Sequence, residues 1–375
     1  MALGLAAAVA LGLARFAYAL VLPAMRADLG WSYFTAGAMN TVNAAGYLAG
    51  ALMAPRVFRR WDARRALLWA SGATALMLAA HGAVRAEQAL YALRAATGAA
   101  SAITFVGGGL LAARLATRPG AAPGLVLGLY YGGTGAGIIL SALTVRALRW
   151  PAAWVVLGGL AAAATLLTAV GTRSLGAPPP QAGAARTHLA LWPFAFGLAA
   201  YMMFGLGYIG YMTFIVTLLR EQGLSGPLVT SFYALLGAGV IASSWLWAGL
   251  LQRHRGGGPL ALLNALLAVA TLLPVLSPHP VAAFASGALF GSVFLSVVAS
   301  TTALVRHNAA QPAWASGIAA FTVVFAAGQI AGPSLVGMVA DGAGGLRGGL
   351  ALSALALVLA AGLAACQRAV AGHAP

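Results

Sequence analysis

The sequence predicts an all-α, polytopic membrane protein with twelve transmembrane helices arranged as two pseudo-symmetric six-helix bundles. The chain of 375 residues is 61% hydrophobic and only 7% charged, which ordinary soluble domains are not. It contains twelve apolar segments of about twenty residues, the length that crosses the hydrocarbon core of a bilayer. Its two halves also repeat each other along the chain.

The repeat relates residues 4–141 to residues 197–334 at one unbroken offset of 193. Seven matched positions pair a glycine with a glycine, where composition alone gives roughly two, so chance is a poor explanation. Parallel repeats of this kind are typical of secondary transporters. The glycine pairs are Gly4 and Gly197, Gly12 and Gly205, Gly30 and Gly223, Gly46 and Gly239, Gly98 and Gly291, Gly124 and Gly317, and Gly135 and Gly328.

The apolar segments predict helices rather than barrel strands, because they are about twice as long as a barrel strand and lack in/out alternation. The first six predicted spans are 3–24, 34–55, 66–84, 89–112, 124–145 and 152–171. The second six are 191–219, 228–250, 259–276, 281–304, 314–339 and 346–366.

A polar segment, residues 173–190, separates the two sets of spans. It contains three consecutive prolines, Pro178, Pro179 and Pro180, which cannot continue a helix and favour an extended, solvated chain. We therefore predict an N-terminal bundle over residues 1–172, a cytoplasmic linker over 173–190 and a C-terminal bundle over 191–375.

The net charge of +16 does not indicate nucleic-acid binding, because the arginines are spread through short loops rather than clustered on a soluble face. With the N-terminus inside, thirteen arginines fall in cytoplasmic segments and six on the opposite side. This asymmetry follows the positive-inside rule. It predicts a multi-pass membrane protein with both termini in the cytoplasm.

Four segments resemble the YbfB/YjiJ-like branch of the major facilitator superfamily (MFS). They are Gly12-Leu-Ala-Arg15-Phe-Ala-Tyr18, Asn43-Ala-Ala-Gly46-Tyr47-Leu-Ala-Gly50, Gly205-Leu-Gly207-Tyr208-Ile-Gly-Tyr211-Met-Thr213-Phe214 and Gly328-Gln329-Ile-Ala-Gly332-Pro333. The resemblance implies a secondary transporter of the bacterial inner (plasma) membrane that works by alternating access, with helices one, four, seven and ten lining a central cavity. Arg94-Ala-Ala-Thr-Gly98 is similar to the intramembrane arginine motif associated with proton coupling.

Two arginines lie inside predicted spans: Arg15, near the middle of the first, and Arg94, near the outer end of the fourth. A central arginine costs roughly 2.5–3.5 kcal/mol on insertion scales, so such residues usually face a cavity or a partner. No carboxylate lies within a span to neutralise them. The repeat places Arg15 opposite Tyr208 and Arg94 opposite Gly287, so the shared scaffold requires neither charge. Either arginine binds substrate, or it bonds to helix carbonyls and amides and locks the bundle.

Aromatic and amide side chains supply the other candidate substrate contacts. Tyr201, Phe204, Tyr208 and Tyr211 lie on one face of span seven. This aromatic face serves either in packing or as a wall of the binding site. The remaining candidates are Tyr18, Asn43, Tyr47 and Gln329, and each serves either as interhelical glue or as a ligand contact. The histidines lack metal-ligand spacing, and we predict no metal site and no cofactor.

These features predict a transporter of a small organic anion, with Arg15 as the main counter-charge. The expected partners are that substrate and the lipid bilayer, with no nucleic acid, and the protein is expected to be a monomer. A proton-driven exporter of drugs or other amphipathic compounds is the alternative, and it calls for a membrane-embedded acid. An intramembrane enzyme calls for a cluster of acidic, histidine or cysteine side chains at one membrane face. The sequence shows no such cluster, so we predict that the chain is not an enzyme.

Overall fold

A computed structural model describes residues 1–175 and 189–370, and all regular secondary structure in these residues is helical. Most of the predicted linker, residues 173–190, lies outside the described residues. The twelve long helices are α1 (Ala2–Leu29), α2 (Tyr33–Arg60), α3 (Ala63–His81), α4 (Glu87–Ala116), α5 (Pro123–Val145), α6 (Trp150–Gly171), α7 (Trp192–Glu221), α8 (Gly226–Arg253), α9 (Gly258–Leu276), α10 (Pro280–Asn308), α11 (Gln311–Ala340) and α12 (Gly345–Ala365).

Ten of these helices are long and apolar enough to cross a membrane by their own composition. The two that are not are α2 and α3. Helix α2 carries Asn40 and Asn43 in its buried part, and α3 begins with Arg64 and Arg65. Helix α2 packs between α4 and α11, and α3 packs between α4 and α6. The predicted all-helical membrane fold is confirmed, and several helices extend a turn beyond the predicted spans.

The helix boundaries follow the sequence repeat. Moved by 193 residues, the range of α2 becomes 226–253, which is the range of α8. Helix α4 moved in the same way covers 280–309, and α10 covers Pro280–Asn308. The loops after α1 and α7 turn at Gly30 (φ 67°) and Gly223 (φ 87°), a left-handed conformation that favours glycine. One repeated glycine pair therefore marks equivalent turns.

A second repeated set of glycines allows close helix packing. A Cβ at Gly98 of α4 would collide with the carbonyl oxygen of Asn43 on α2, and a Cβ at Gly291 of α10 would collide with that of Leu236 on α8. Small residues at such contacts let membrane helices approach closely. The pairs α2–α4 and α8–α10 are thus built in the same way.

Both ends of the described chain lie at one face of the bundle, which we call the terminal face. There Ala2 meets Gly171 at the end of α6, and Gln367 donates to the carbonyl oxygen of Pro193 at the start of α7 (2.9 Å). The opposite face, where α1, α7 and α11 end, is the far face. The two halves touch mainly through α2–α11, α5–α8 and α1–α7. Helices α1 and α7 are the most enclosed, with 89% and 83% of their apolar windows buried, against 22–50% for the other spans.

Candidate functional site

The middle of α1 is a π-helix over Ala8–Phe16, and Arg15 lies on it. Its wider turn is visible where the N–H of Ala17 donates to the carbonyl of Gly12, five residues back (3.0 Å). Next to this turn, carbonyls of α1 accept side-chain donors from other helices. The Ala14 carbonyl accepts from Arg94 Nη1 (3.2 Å) and the Phe16 carbonyl from the hydroxyl of Tyr233 (2.7 Å). Single π-turns in α-helices are frequent at functional sites.

The guanidinium of Arg15 is buried, with 3% exposure, and makes a single hydrogen bond to the residues that the structure describes. Its Nη2 donates to Oε1 of Gln329 on α11 at 2.9 Å, and Nε2 of Gln329 donates in turn to the hydroxyl of Tyr208 on α7 at 2.5 Å. The ring of Tyr47 lies 5.3 Å from the guanidinium carbon. Nε of Arg15 has no partner. The cationic side chain of Arg15 is thus linked to the second half through the neutral side chains of Gln329 and Tyr208. Its Nε remains available as a donor.

Arg94 is equally buried, at 1% exposure, but all three of its side-chain nitrogens donate to groups of neighbouring helices. Its Nε, Nη1 and Nη2 donate to the Met39 carbonyl (3.4 Å), the Ala14 carbonyl (3.2 Å) and Oδ1 of Asn40 (3.0 Å). The guanidinium carbon also lies 4.6 Å from the centre of the Tyr18 ring. These contacts join α4 to α1 and α2 within the first six helices.

The two polar candidates nearest Arg94 also bond to the backbone. The hydroxyl of Tyr18 donates to the Ala36 carbonyl (2.8 Å), and Nδ2 of Asn43 donates to the Arg94 carbonyl (3.0 Å). Tyr18 and Asn43 therefore lie with Arg94, whereas Tyr47, Tyr208 and Gln329 lie with Arg15.

Five aromatic rings from α7, α10 and α11 stack next to the Arg15 group. Adjacent rings are 4.6–5.9 Å apart at their centres and within 10–19° of parallel. We call this set the aromatic stack; its members are Tyr201, Phe204, Tyr208, Phe294 and Phe325. Tyr211 is outside the stack, because its ring lies on Phe290 and its hydroxyl pairs with Ser286 at 2.7 Å.

No carboxylate neutralises either buried arginine. All five carboxylates of the chain lie at helix ends, at positions 28, 62, 87, 221 and 341. In the described part of the chain the ion pairs are Arg65–Asp62 and Arg85–Asp28, both at the faces of the bundle. The membrane-embedded centre therefore carries two positive charges and no negative one.

Carboxylates at the far face join the two halves instead. Asp341, at the end of α11, accepts the backbone N–H groups of Tyr33 (2.8 Å) and Phe34 (2.9 Å) in the first turn of α2. The hydroxyl of Tyr33 also bonds to Glu221, at the end of α7. Arg26 stacks on the Tyr33 ring with its guanidinium carbon 3.7 Å from the centroid. We call these five residues the far-face latch.

A family model described as the uncharacterised MFS-type transporter YbfB matches residues 7–365. The chain belongs to this family. It is therefore a multi-pass membrane transporter of the major facilitator type and not an enzyme. The resemblance noted in the sequence is confirmed. No curated protein sequence matches the chain.

Solved structures of major facilitator transporters share the fold of this YbfB-type chain. The nucleoside transporter NupG superposes with a TM-score of 0.74 at 16% identity, covering 97% of this chain and 99% of its own. A bacterial homolog of the human lysosomal transporter Spinster, inward-facing and unoccupied, gives 0.72 at 15%, covering 97% and 95%. The human organic anion transporter MFSD10 (TETRAN) gives 0.65 at 14%, covering 96% and 99%. At these identities the likeness concerns the fold alone.

Three features of this YbfB-family site were not among the residues predicted from sequence. Phe294 and Phe325 complete the aromatic stack, and Asp341 anchors the far-face latch. A lone phenylalanine in an apolar span, or an acid at a span end, gives no local signal of such a role. Within the described residues no group of acidic, histidine or cysteine side chains is placed to hold a metal ion.

Proposed function

We propose that this transporter carries a small organic anion and that Arg15 is its counter-charge. The observation behind the proposal is the bonding of that side chain: a buried guanidinium with one neutral acceptor, an unpartnered Nε and no carboxylate in its surroundings. A buried charge without a partner is costly. An anionic ligand would supply the missing charge.

Nε, which has no partner, and Nη2, which donates to Gln329, lie on the same edge of the Arg15 guanidinium. Nε–H and one N–H of Nη2 point in nearly the same direction and match the two oxygens of a carboxylate. In the ligand-free protein Nη2 is bonded to the neutral amide of Gln329. We infer that Gln329 occupies the place of one substrate oxygen, so that substrate binding releases a contact between the halves.

That release provides a route from binding to alternating access. Gln329 is on α11 and Arg15 is on α1, so the bond between them holds the two halves together at mid-depth. In the proposal, residues 1–172 and 191–375 move as two bundles around this point. The anion replaces the direct bond, and the far-face latch and the terminal face then open in turn.

The proposed orientation places both termini in the cytoplasm of a bacterium, with the protein in the inner membrane. It rests on the arginine asymmetry between the two sides of the membrane. A phosphatase reporter that is active only outside the cytoplasm, inserted near Gln181, should be silent. Activity of that reporter would show that the protein has the opposite orientation.

Ligand binding to the purified protein in nanodiscs tests the anion proposal. Benzoate, cyclohexanecarboxylate and succinate should be screened beside amines of the same size, because a bound ligand raises the apparent melting temperature. Arg15→Ala should abolish the shift caused by anions, and Arg15→Lys should restore only part of it, because a point charge cannot reproduce the planar fork. Arg347→Ala, which removes an exposed arginine, is the matched control. Anion shifts that survive Arg15→Ala, or shifts with amines alone, would contradict the proposal.

A further inference from the structure

We infer that the transported anion is an aromatic monocarboxylate, with its carboxylate on Arg15 and its flat ring against the aromatic stack. This inference rests on the proposed function and goes beyond it by naming the body of the substrate and the number of its charges. Its evidence is the position of the aromatic stack, the orientation of its rings and the bonding of the other polar groups.

The aromatic stack begins at the anion site itself. Tyr208 belongs to both: its hydroxyl accepts from Gln329, which holds Arg15, and its ring lies nearly parallel to Phe294 (10°) and Phe325 (16°). A ligand whose carboxylate reaches Arg15 therefore has its body beside these faces. The stack comes from α7, α10 and α11, so it forms the wall opposite the first six helices.

The aromatic stack also lies at the boundary that must part during transport. Phe16, next to Arg15 on α1, meets Phe294 edge-on, with centroids 5.8 Å apart and planes at 86°. This contact crosses between the halves, so their separation would uncover the edge and face of Phe294. Phe325 is already only half-buried. An incoming ring would take the place that Phe16 occupies against the stack.

The orientation of the rings favours a flat ligand over an aliphatic one. Parallel aromatic faces gain from an offset-stacked or edge-on ring in addition to the burial of apolar area, whereas a saturated ring of the same size gains the burial alone. Aromatic pairs outside the stack range from edge-on, as in Phe194 and Phe321 at 86°, to parallel, as in Tyr211 and Phe290 at 16°. Six ring pairs of the stack within 19° of parallel form a more regular surface.

The bonding of the other polar groups limits the ligand to one charge. All three nitrogens of Arg94 already donate to the scaffold, and Asn40, its side-chain acceptor, also donates to Thr213 (2.7 Å). The hydroxyls of Tyr18 and Tyr211 are bonded within the protein. A second carboxylate would thus find no free guanidinium, and a ligand rich in hydroxyls would face a wall of phenyl rings.

The test compares benzoate with three ligands of altered chemistry. Benzoate has the ring and the charge, cyclohexanecarboxylate lacks the aromatic face, benzamide lacks the charge, and succinate lacks the ring and adds a second charge. Binding to the full-length protein in nanodiscs should rank benzoate about three- to tenfold above cyclohexanecarboxylate, the range expected from aromatic stacking. Succinate and benzamide should bind more weakly than benzoate.

Substitutions in the aromatic stack test whether its rings cause the preference for benzoate over cyclohexanecarboxylate. Phe294→Leu, and independently Phe325→Leu at the less buried position, should lower benzoate affinity to that of cyclohexanecarboxylate and leave the latter unchanged within about twofold. Phe232→Leu is the control, because that ring is buried against Gly287 outside the stack.

The possible failures of the two proposals are distinguishable. Cyclohexanecarboxylate or succinate binding as tightly as benzoate through Arg15 would overturn the aromatic monocarboxylate and keep the anion transporter. An unchanged preference in both stack variants would overturn the role of the stack. Benzamide binding as tightly as benzoate, or benzoate binding that survives Arg15→Ala, would overturn the anion site.

Discussion

At the scale of the residue, the two buried arginines differ in their partners rather than in their burial. Arg94 donates from three nitrogens, whereas Arg15 donates from one and leaves Nε free. A hydrogen bond to a charged group contributes about 1.5–3 kcal/mol. The insertion cost of roughly 2.5–3.5 kcal/mol is thus fully offset by the three bonds of Arg94 and only in part by the single bond of Arg15. Arg94 stabilises the bundle, and Arg15 is left available for a ligand.

This difference predicts opposite stability effects for two alanine substitutions. Arg94→Ala removes three hydrogen bonds and leaves Oδ1 of Asn40 without its donor, so it should lower the free energy of unfolding by about 2–5 kcal/mol. Arg15→Ala removes one bond and an uncompensated charge, so it should stay within about 1 kcal/mol of the unchanged protein. Thermal melts of ligand-free protein measure both. An Arg15→Ala protein that melts as early as Arg94→Ala would mean that Arg15 also locks the bundle.

At the scale of the element, glycines set how closely the helices pack and a carboxylate closes the far face. The contact of α2 with α4 uses Gly46 and Gly98, and the equivalent contact of α8 with α10 uses Gly239 and Gly291. The far-face latch instead joins α11 and α7 of one half to α2 of the other. The first type of contact lies within one half, so it can persist while the halves move, whereas the second joins the halves and must break for the far face to open.

Gly98→Ala should destabilise the protein by about 1–3 kcal/mol, because the new methyl group would overlap the Asn43 carbonyl and force α2 and α4 apart. The matched control is Gly72→Ala in α3, where an added Cβ meets nothing within 4 Å. That substitution should be neutral or slightly stabilising, because alanine is the better helix former. Equal melting temperatures for the two variants would contradict the close-packing account.

Asp341→Ala should open the far face. It removes a carboxylate that accepts two N–H groups at the start of α2, a loss that should shift the equilibrium about tenfold. The measurement is the labelling rate of Thr41→Cys by a membrane-impermeant maleimide added from the far side, in a Cys366→Ser background. Thr41 bonds to Ile330 and Ser334 of α11 just inside the latch.

Asp28→Ala is the matched control for the latch. It removes another far-face carboxylate, but one bonded to Arg85 (2.9 Å) and Trp150 (2.8 Å) within the first six helices. Its labelling rate should equal that of the background protein. Equal acceleration by both substitutions would show that the contacts between the halves do not control opening.

At the scale of the whole molecule, every carboxylate lies near a face and the embedded charges are arginines. Arginine does not release a proton at physiological pH, because its guanidinium stays protonated throughout that range. A carrier exposed alternately to both sides is therefore missing from the centre of the bundle. The arrangement favours exchange, uniport or a proton that travels on the substrate.

Counterflow in proteoliposomes tests this coupling. Radiolabelled benzenesulfonate suits the assay because it stays anionic at working pH and cannot carry the proton itself. We expect counterflow without a pH gradient and no accumulation when a gradient is imposed. Gradient-driven accumulation would contradict the prediction, and its loss in Asp28→Asn, Glu87→Gln, Glu221→Gln, Asp341→Asn or His81→Ala would identify the proton carrier.

The sequence by itself determined the fold of this protein. The length of the apolar segments and the constant offset of 193 residues can both be counted along the chain. Bilayer thickness relates the first to membrane-spanning helices, and the second directly indicates a repeat. The same analysis found both arginines of the candidate site, because a charge in an apolar span is conspicuous wherever it packs. It also found Gln329, Tyr47 and Tyr208, which meet around Arg15.

Only the tertiary structure decided how those residues are grouped. Arg15 and Gln329 are 314 positions apart and Tyr33 and Asp341 are 308 apart, and spacing along single helices carries no information about contacts at such distances. Helix rotation and the π-turn of α1 determine that Arg94 faces carbonyls and Asn40 while Arg15 faces a neutral amide. Phe294 and Phe325 were missed for the same reason, because an aromatic stack exists only after α7, α10 and α11 have packed together.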